Sequence, residues 1–505
     1  MSVTEIGRGV RLAVLPRWLP LAAVFVAALI VRAIVPANTD VSWGLTMAEK
    51  WLDGARLYID IIEVNPPATV YLYVLPAWLA RLTGLRAEIL VDALVFLAAG
   101  LSLSFSARAL RLARLFDTVP GDALLALTAA AIMVLPAHVF GEREHVALIA
   151  FLPLLAVMAR RAEGASPDWL SIVVAGIGGG FVAIIKPYLA AALVTTALAA
   201  AVYARNWRIV FAAENFIAAG LLAAYVGFVL LVYPEFNANM VPLLMLVYVP
   251  VKENLFSFYT HVAIPLWVTV LLLTARLIKR QALALPFGLL MAASVGFSIS
   301  YFVQRKGWPY HSYPMIALAL VMLALAVIRL WRQGAETSSG PRRSEWIPAG
   351  CAAVGMAVVA FIWFNLAEDR QALAAAIRTI KPHPKIVQFS VDLSVGHPLT
   401  RQVGGVWVGR AGQLWMTLGA EFRRDSEKLD AETAARLEAI TAYDRQLLAE
   451  DIARERPDVI LVQRSRGFDW MAWANADPAM AAQIKAYRAD RTVDDMVILR
   501  RADDG

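Results

Sequence analysis

The chain has 505 residues, of which 59% are hydrophobic and 17% charged, with a mean hydropathy of +0.60. Soluble domains carry about 45–50% apolar and about 25% charged residues, so the composition excludes a soluble enzyme, a disordered chain and a fibre, and leaves a polytopic membrane protein. The net charge of +7 does not point to nucleic acid, because Lys and Arg gather in cytoplasmic loops of membrane proteins, and the single Cys351 excludes an intramolecular disulfide and argues against a cysteine metal site.

A membrane span needs about 20 mostly apolar residues. Runs of that kind predict eleven spans, near 16–36, 88–108, 121–140, 145–160, 167–186, 188–204, 209–233, 262–278, 283–303, 310–331 and 346–366, the fourth, sixth and eighth being short. The first run is too long for a cleaved signal and lacks a small-residue cleavage site, so it reads as a retained helix. Basic residues fall in every second short connection. Arg8, Arg11 and Arg17 precede or open the first span. Then come Arg111 and Arg114, Arg160 and Arg161, Arg205 and Arg208, Arg276 with Lys279 and Arg280, and Arg329, Arg332, Arg342 and Arg343. Those connections should be cytoplasmic, which puts the N-terminus inside and the C-terminal tail outside. Counting 66–85 as a span would reverse this parity, so 37–87 reads as one long outer loop with interfacial helices, rich in Trp and Tyr.

Residues 1–366 are thus the transmembrane part. Residues 332–345 are a polar connection, and 367–505 form a small outer α/β domain. In that tail 387–391, 404–408, 456–462 and 496–499 read as strands, and 431–455 and 481–488 as helices.

The unusual polar residues gather on the outer side. Asp40 lies four residues past Pro36, where a partly desolvated carboxylate can accept a proton from a sugar hydroxyl; it is also placed to cap a helix over 41–51. Asp60, Glu63 and His145 read as acceptor or loop support. The loop His138-Val139-Phe140-Gly141-Glu142-Arg143-Glu144-His145 packs ionisable groups between two apolar runs, which needs pairing or a polar cavity. It offers an Arg–Glu pair, or active-site contacts through Glu142, Glu144 and His145; its spacing fits no strong metal pattern. Lys186 ends a span carrying Gly176, Gly178, Gly179 and Gly180, and a compact ammonium there suits a phosphate, with snorkelling as the bland alternative. Arg305 and Lys306, with Tyr310 and His311, put cations and aromatics where outer positive charge is disfavoured, and pyrophosphate or headgroup recognition accounts for them. The mixed segment 234–261 is suited to covering a lipid tail or to serving as a connection.

Taken in order, Asp40, Gly54 to Tyr58, Glu63 to Pro67, Glu142 or Glu144, Lys186-Pro187 and Lys306 to Pro314 resemble the polyprenyl-phosphate-dependent glycosyltransferases of the GT-C superfamily, relatives of protein O-mannosyltransferases and lipid A aminoarabinose transferases. The resemblance covers about 16–331. Val41 follows Asp40 where many relatives have a second acid, and Asn65 stands where some have lysine. The resemblance implies inverting transfer of a hexosyl or pentosyl group from a polyprenyl-phosphate donor at the outer face of a bacterial inner membrane, with an envelope glycan or glycolipid as acceptor. It implies Asp40 as base, with Glu142 and Glu144 as further acids. It implies Lys186, Arg305, Lys306, Tyr310 and His311 at the donor phosphate. No cofactor is expected, and a divalent cation is possible but unsupported. The rival reading is a transporter or flippase of lipid-linked sugars. The spans look dry and the polar groups lie on one side, which favours the enzyme. A structural assembly protein that docks through its tail is the third reading.

Overall fold

The computed structural model describes residues 18–111, 121–278, 285–336, 343–464 and 468–502. All eleven predicted spans contain a helix. In chain order, with two interfacial helices included, they are α1 (Leu19–Ile34), α2 (Thr39–Leu52), α3 (Ala68–Thr83), α4 (Ala87–Leu110), α5 (Gly121–Met133), α6 (Arg143–Ala162), α7 (Trp169–Ile185), α8 (Ala190–Ala204), α9 (Ala213–Val232), α10 (Ala263–Ile278), α11 (Leu285–Gln304), α12 (Pro309–Glu336) and α13 (Arg343–Phe364). Among the described residues eight helical segments are long and apolar enough to cross a membrane, or nine if α1 and α2, which meet at 75°, count as one. The chain is a multi-pass membrane protein.

Of the three runs expected to be short, the sixth and eighth are, with 15 residues in α8 and 16 in α10. The fourth, at 145–160, is instead a 20-residue helix, and α5, expected at full length, has 13 residues. The predicted 121–140 is helical only to Met133, then turns through a 3-10 segment at Ala137–Val139. Non-helical backbone is tolerated at membrane depth where protein buries it or a cavity receives it, and the 3-10 segment after α5 brings His138 and Val139 to the cavity described below.

The segment 37–87 starts and finishes at one end of the bundle, as its parity requires. Arg401 marks this, reaching Glu49 on α2 at 2.6 Å and Glu88 on α4 at 2.7 Å. Arg111, Arg160, Arg161, Arg205, Arg208, Arg276, Arg329 and Arg332 lie at the opposite helix ends. Arg8, Arg11, Arg17, Arg114, Lys279, Arg280 and Arg342 fall outside the described residues. Close helix contact depends on small residues. A Cβ on Gly178 of α7 would come within 2.2 Å of the Ala150 carbonyl oxygen on α6, so only glycine lets α7 pack there and bring Lys186 to the same end.

The tail builds one five-stranded sheet in the order β2-β1-β3-β5-β4, from β1 (Lys385–Phe389), β2 (Val406–Trp407), β3 (Val459–Gln463), β4 (Tyr487–Val493) and β5 (Met496–Arg501). β1 runs parallel to β2 and β3, and β5 antiparallel to β3 and β4. The helix at Ala431–Glu455 has the predicted bounds. One expectation fails: helix stops at Ile484, and the residues from Tyr487 onward form β4. That strand shows no apolar alternation because it is an exposed edge, and charges such as Arg488, Asp490 and Arg491 are what protects such an edge. The sheet unit is tied to the membrane end through Arg401, through Lys50 Nζ donating to the Gly409 carbonyl (2.6 Å), and through Ile62 N–H donating to the Arg410 carbonyl (2.9 Å).

Candidate active site

Asn38 leaves α1 in extended conformation and caps α2, accepting from the amides of Asp40 (2.7 Å) and Val41 (3.1 Å). This corrects the capping role open to Asp40. The cap is Asn38, and Asp40, the second residue of the helix, is left with its carboxylate on a cavity. Asp40 Oδ1 stands 3.4 Å from Arg143 Nη2. Arg143 opens α6 with its side chain 5% exposed, and its Nη1 is buried without a protein partner. Beside them Glu142 is fully buried and neither carboxyl oxygen has a partner. Burial, reinforced by the negative charge of Asp40, pushes the Glu142 pKa well up and favours its protonated form.

The loop that presents Glu142 is held from behind. His145 Nδ1 accepts from the Gly141 amide at 3.0 Å, its Nε2 lies 2.7 Å from the Ile132 carbonyl, and Tyr73 donates to the Gly141 carbonyl at 3.0 Å. His145 therefore supports the loop and does not line the cavity. Arg32 reaches across from α1 to Asp92 (3.1 Å) and to the Ala137 carbonyl (3.1 Å), fixing the same loop to α4.

A second buried cluster lies behind Arg143. Lys186 Nζ is 2.5 Å from Glu144 Oε1, 3.0 Å from His311 Nε2 and 3.4 Å from Gln304 Oε1. Glu144, expected as a catalytic acid, and Lys186 and His311, expected at the phosphate, meet one another through Lys186 Nζ, and none of the three lines the cavity; Glu144 Oε2 and His311 Nδ1 are buried without a partner. Lys306 is further off. Its ammonium donates to the carbonyls of Tyr248 (2.8 Å) and Val251 (2.5 Å) and sits 4.3 Å above the Tyr248 ring. Burial, then the charges of Lys252 and Lys186, brings its pKa down to about 8. Arg305 does not reach the cavity; its carbonyl accepts from the Glu253 amide at 2.8 Å. Of the five residues expected at a phosphate, Tyr310 alone is on the cavity wall.

Glu63 and Asp60 also separate. Glu63 lines the cavity and accepts from Trp43 Nε1 (2.8 Å) and the Asn65 amide (2.9 Å), whereas Asp60 pairs with Arg56 at 3.0 Å on the surface. Tyr58, at a φ of 67°, closes this loop by donating to the Asn65 carbonyl at 2.9 Å.

The cavity itself is about 550 Å³. One wall carries Asp40, Glu142, Arg143 and Tyr310; the other comes from 366–418 and includes Asp392, Ser394, Gln413 and Trp415. Among the described residues no three His, Cys, Asp or Glu side chains are grouped to hold a metal ion. Sequence reasoning missed two features. Arg143 was legible only as half of a local Arg–Glu pair, and its contact with Asp40 spans 103 residues. Nothing in the tail marked Ser394 or Trp415 as facing the membrane part.

No family model matches the sequence, and no curated protein matches it. Solved structures do match. ArnT from Cupriavidus metallidurans in the apo state aligns at a TM-score of 0.57 with 13% identity, covering 95% of this chain and 97% of that one. The same protein bound to undecaprenyl phosphate aligns at 0.54 with 14% identity and the same coverage. The chain shares the fold of ArnT; at such identities the likeness is one of fold, and it extends over 95% of the chain, the sheet-bearing tail included.

Proposed function

We propose that the chain is an inverting GT-C glycosyltransferase of the bacterial inner membrane. It takes a hexosyl or pentosyl group from a polyprenyl-phosphate donor and passes it to an envelope glycan or glycolipid on the outer side, with the N-terminus cytoplasmic and residues 367–505 periplasmic. The observation that carries this reading is the pairing, on one cavity wall, of the Asp40 carboxylate with a buried guanidinium that keeps an N–H group for a ligand. ArnT, which shares the fold, binds undecaprenyl phosphate in one of its structures, and that ligand class suits the cation here.

Asp40 removes the proton from an acceptor hydroxyl as that oxygen attacks the anomeric carbon from the face opposite the phosphate. The bond from the anomeric carbon to the phosphate oxygen breaks, its electron pair leaves with the polyprenyl phosphate, and the configuration inverts. Arg143 Nη1 neutralises the phosphate charge, which is the largest charge to develop on the leaving side. Lys186, neutralised by Glu144, fixes with it and His311 the position of the wall. Glu142 supplies a neutral carboxyl beside the base.

The test is binding of undecaprenyl phosphate to the full chain in nanodiscs. Loss of one charge-assisted contact in Arg143→Ala should weaken it by about 10–100-fold, the equivalent of roughly 1.5–3 kcal/mol. Absence of binding to the wild type overturns the proposal.

A further inference from the structure

The wall built from 366–418 holds polar groups with no assigned use. Trp415 is 4% exposed, lines the cavity, and its indole Nε1 has no partner. Ser394 lines the same wall, and its Oγ is buried and unpartnered as well. A buried donor left unmade is costly, and native structures rarely keep one without a ligand or water to complete it. The platform is rigid. Asp444 accepts from Thr417 N–H (2.9 Å) and Oγ1 (2.7 Å), which holds the start of the helix at Trp415–Ser426. The Trp415 ring stands against Tyr248 at 6.2 Å and 88°. Trp43 and Trp308 complete an aromatic surround, the kind of lining that stacks on the apolar faces of sugar rings while hydrogen bonds take the hydroxyls.

The charge on this wall is the opposite of that around Arg143. Glu368 and Asp392 line it, and both lie against Arg370, whose Nη1 is also 2.6 Å from Asp495. Three carboxylates therefore share the two Nη groups of one guanidinium, which leaves this wall net negative; only the buried Nε is unpaired.

We propose that residues 366–418 form the acceptor subsite and that it selects an uncharged or amine-bearing polyhydroxylated sugar over a phosphorylated or carboxylated one. Trp415 Nε1 and Ser394 Oγ hydrogen-bond its hydroxyls, and Glu368 and Asp392 repel anionic substituents. This rests on the glycosyltransferase reading, with the two walls dividing the work: cationic for the donor phosphate, aromatic and acidic for the acceptor.

The experiment measures binding to the full chain in nanodiscs by native mass spectrometry. The probes are maltotriose, mannotriose, chitotriose and its de-acetylated form, the 6-phosphorylated counterparts, and trigalacturonate, with undecaprenyl phosphate measured in parallel. At least one uncharged or amine-bearing probe should bind at least tenfold more tightly than its anionic counterpart. Trp415→Phe and Ser394→Ala should each weaken it by about tenfold, the scale of one hydrogen bond, leaving melting temperature and undecaprenyl phosphate affinity unchanged. Glu368→Gln combined with Asp392→Asn should narrow the discrimination against the phosphorylated probe. The proposal is overturned if anionic probes bind best, if both single variants bind like wild type, or if undecaprenyl phosphate binds and no glycan does. Failure of undecaprenyl phosphate to bind defeats the glycosyltransferase reading itself, and this subsite with it.

Discussion

Two carboxyls face the cavity, and their surroundings give them different work. Asp40 is 3.4 Å from a guanidinium. At an effective dielectric near 20 that separation is worth roughly 5 kcal/mol of attraction before desolvation is subtracted; burial raises the Asp40 pKa and the guanidinium opposes that rise, which suits a carboxylate proposed as a base. Glu142 is fully buried with neither oxygen partnered, and burial raises its pKa. Glu142→Gln therefore replaces a neutral acid by a neutral amide of the same shape, whereas Asp40→Asn removes a charge and a base. Release of polyprenyl phosphate from a sugar-loaded donor, followed in nanodiscs, should fall about 100-fold or more in Asp40→Asn and only a few-fold in Glu142→Gln. The sign of the stability effect is a second reading. An acid whose folded pKa is raised binds its proton more tightly in the native state, so its contribution is full at low pH and lost as pH rises through the folded value. Glu142→Gln lacks that loss, and its melting temperature relative to wild type should climb with pH above the ordinary carboxylate range. Equal damage from both variants, or a pH-independent difference in melting, would refute the assignment.

Other consequences are direct. Asn38→Ala should destabilise the chain by about 0.5–2 kcal/mol, the scale of an N-cap, with Asn38→Asp restoring it; thermal melting reads both, and a silent Asn38→Ala would return the capping role to Asp40. Lys306→Ala should lower stability by about 1.5–3 kcal/mol, because two backbone carbonyls lose their cation, while undecaprenyl phosphate affinity stays near wild type; a tenfold loss of affinity at unchanged stability would make Lys306 a phosphate ligand after all. In a background with the exposed Cys351 changed to Ala, an impermeant thiol reagent applied from the periplasmic side should label Arg56→Cys and Asn475→Cys but not Asn206→Cys, all three positions being exposed; the reverse pattern would invert the orientation.

Much of the architecture can be read locally, because lipid demands it. A helix in a bilayer must satisfy its own backbone and show apolar side chains outward, so each of the eleven runs carries its signal within its own twenty or so residues. The parity of the arginines is equally local, and it places 37–87 on one side without knowledge of any contact. The strands at 385–389 and 459–463 are visible for the same reason, as apolar runs buried on both faces. Strand β4 escapes notice because an edge strand has no buried face to impose a pattern.

The site is different in kind. Sequence reasoning could collect Asp40, Glu142, Glu144, Lys186 and His311 at one end of the bundle, since helix parity alone does that. It could not divide them between a cavity and the buried cluster behind it. Whether Lys186 meets a ligand or Glu144 depends on how far α7 slides along α6, and that is set by backbone contact at Gly178. Asn38 and Asp40 both precede a helix and both can cap it; only the path of the chain after α1 decides that Asn38 does so and leaves Asp40 free. The partner of Asp40 is 103 residues away, and the wall carrying Ser394 and Trp415 is folded back from the far end of the chain. Composition and periodicity determine the solvent, the helices and the side on which chemistry can occur. Which side chain keeps an unfilled hydrogen bond is decided by long-range packing, because that depends on every neighbour at once.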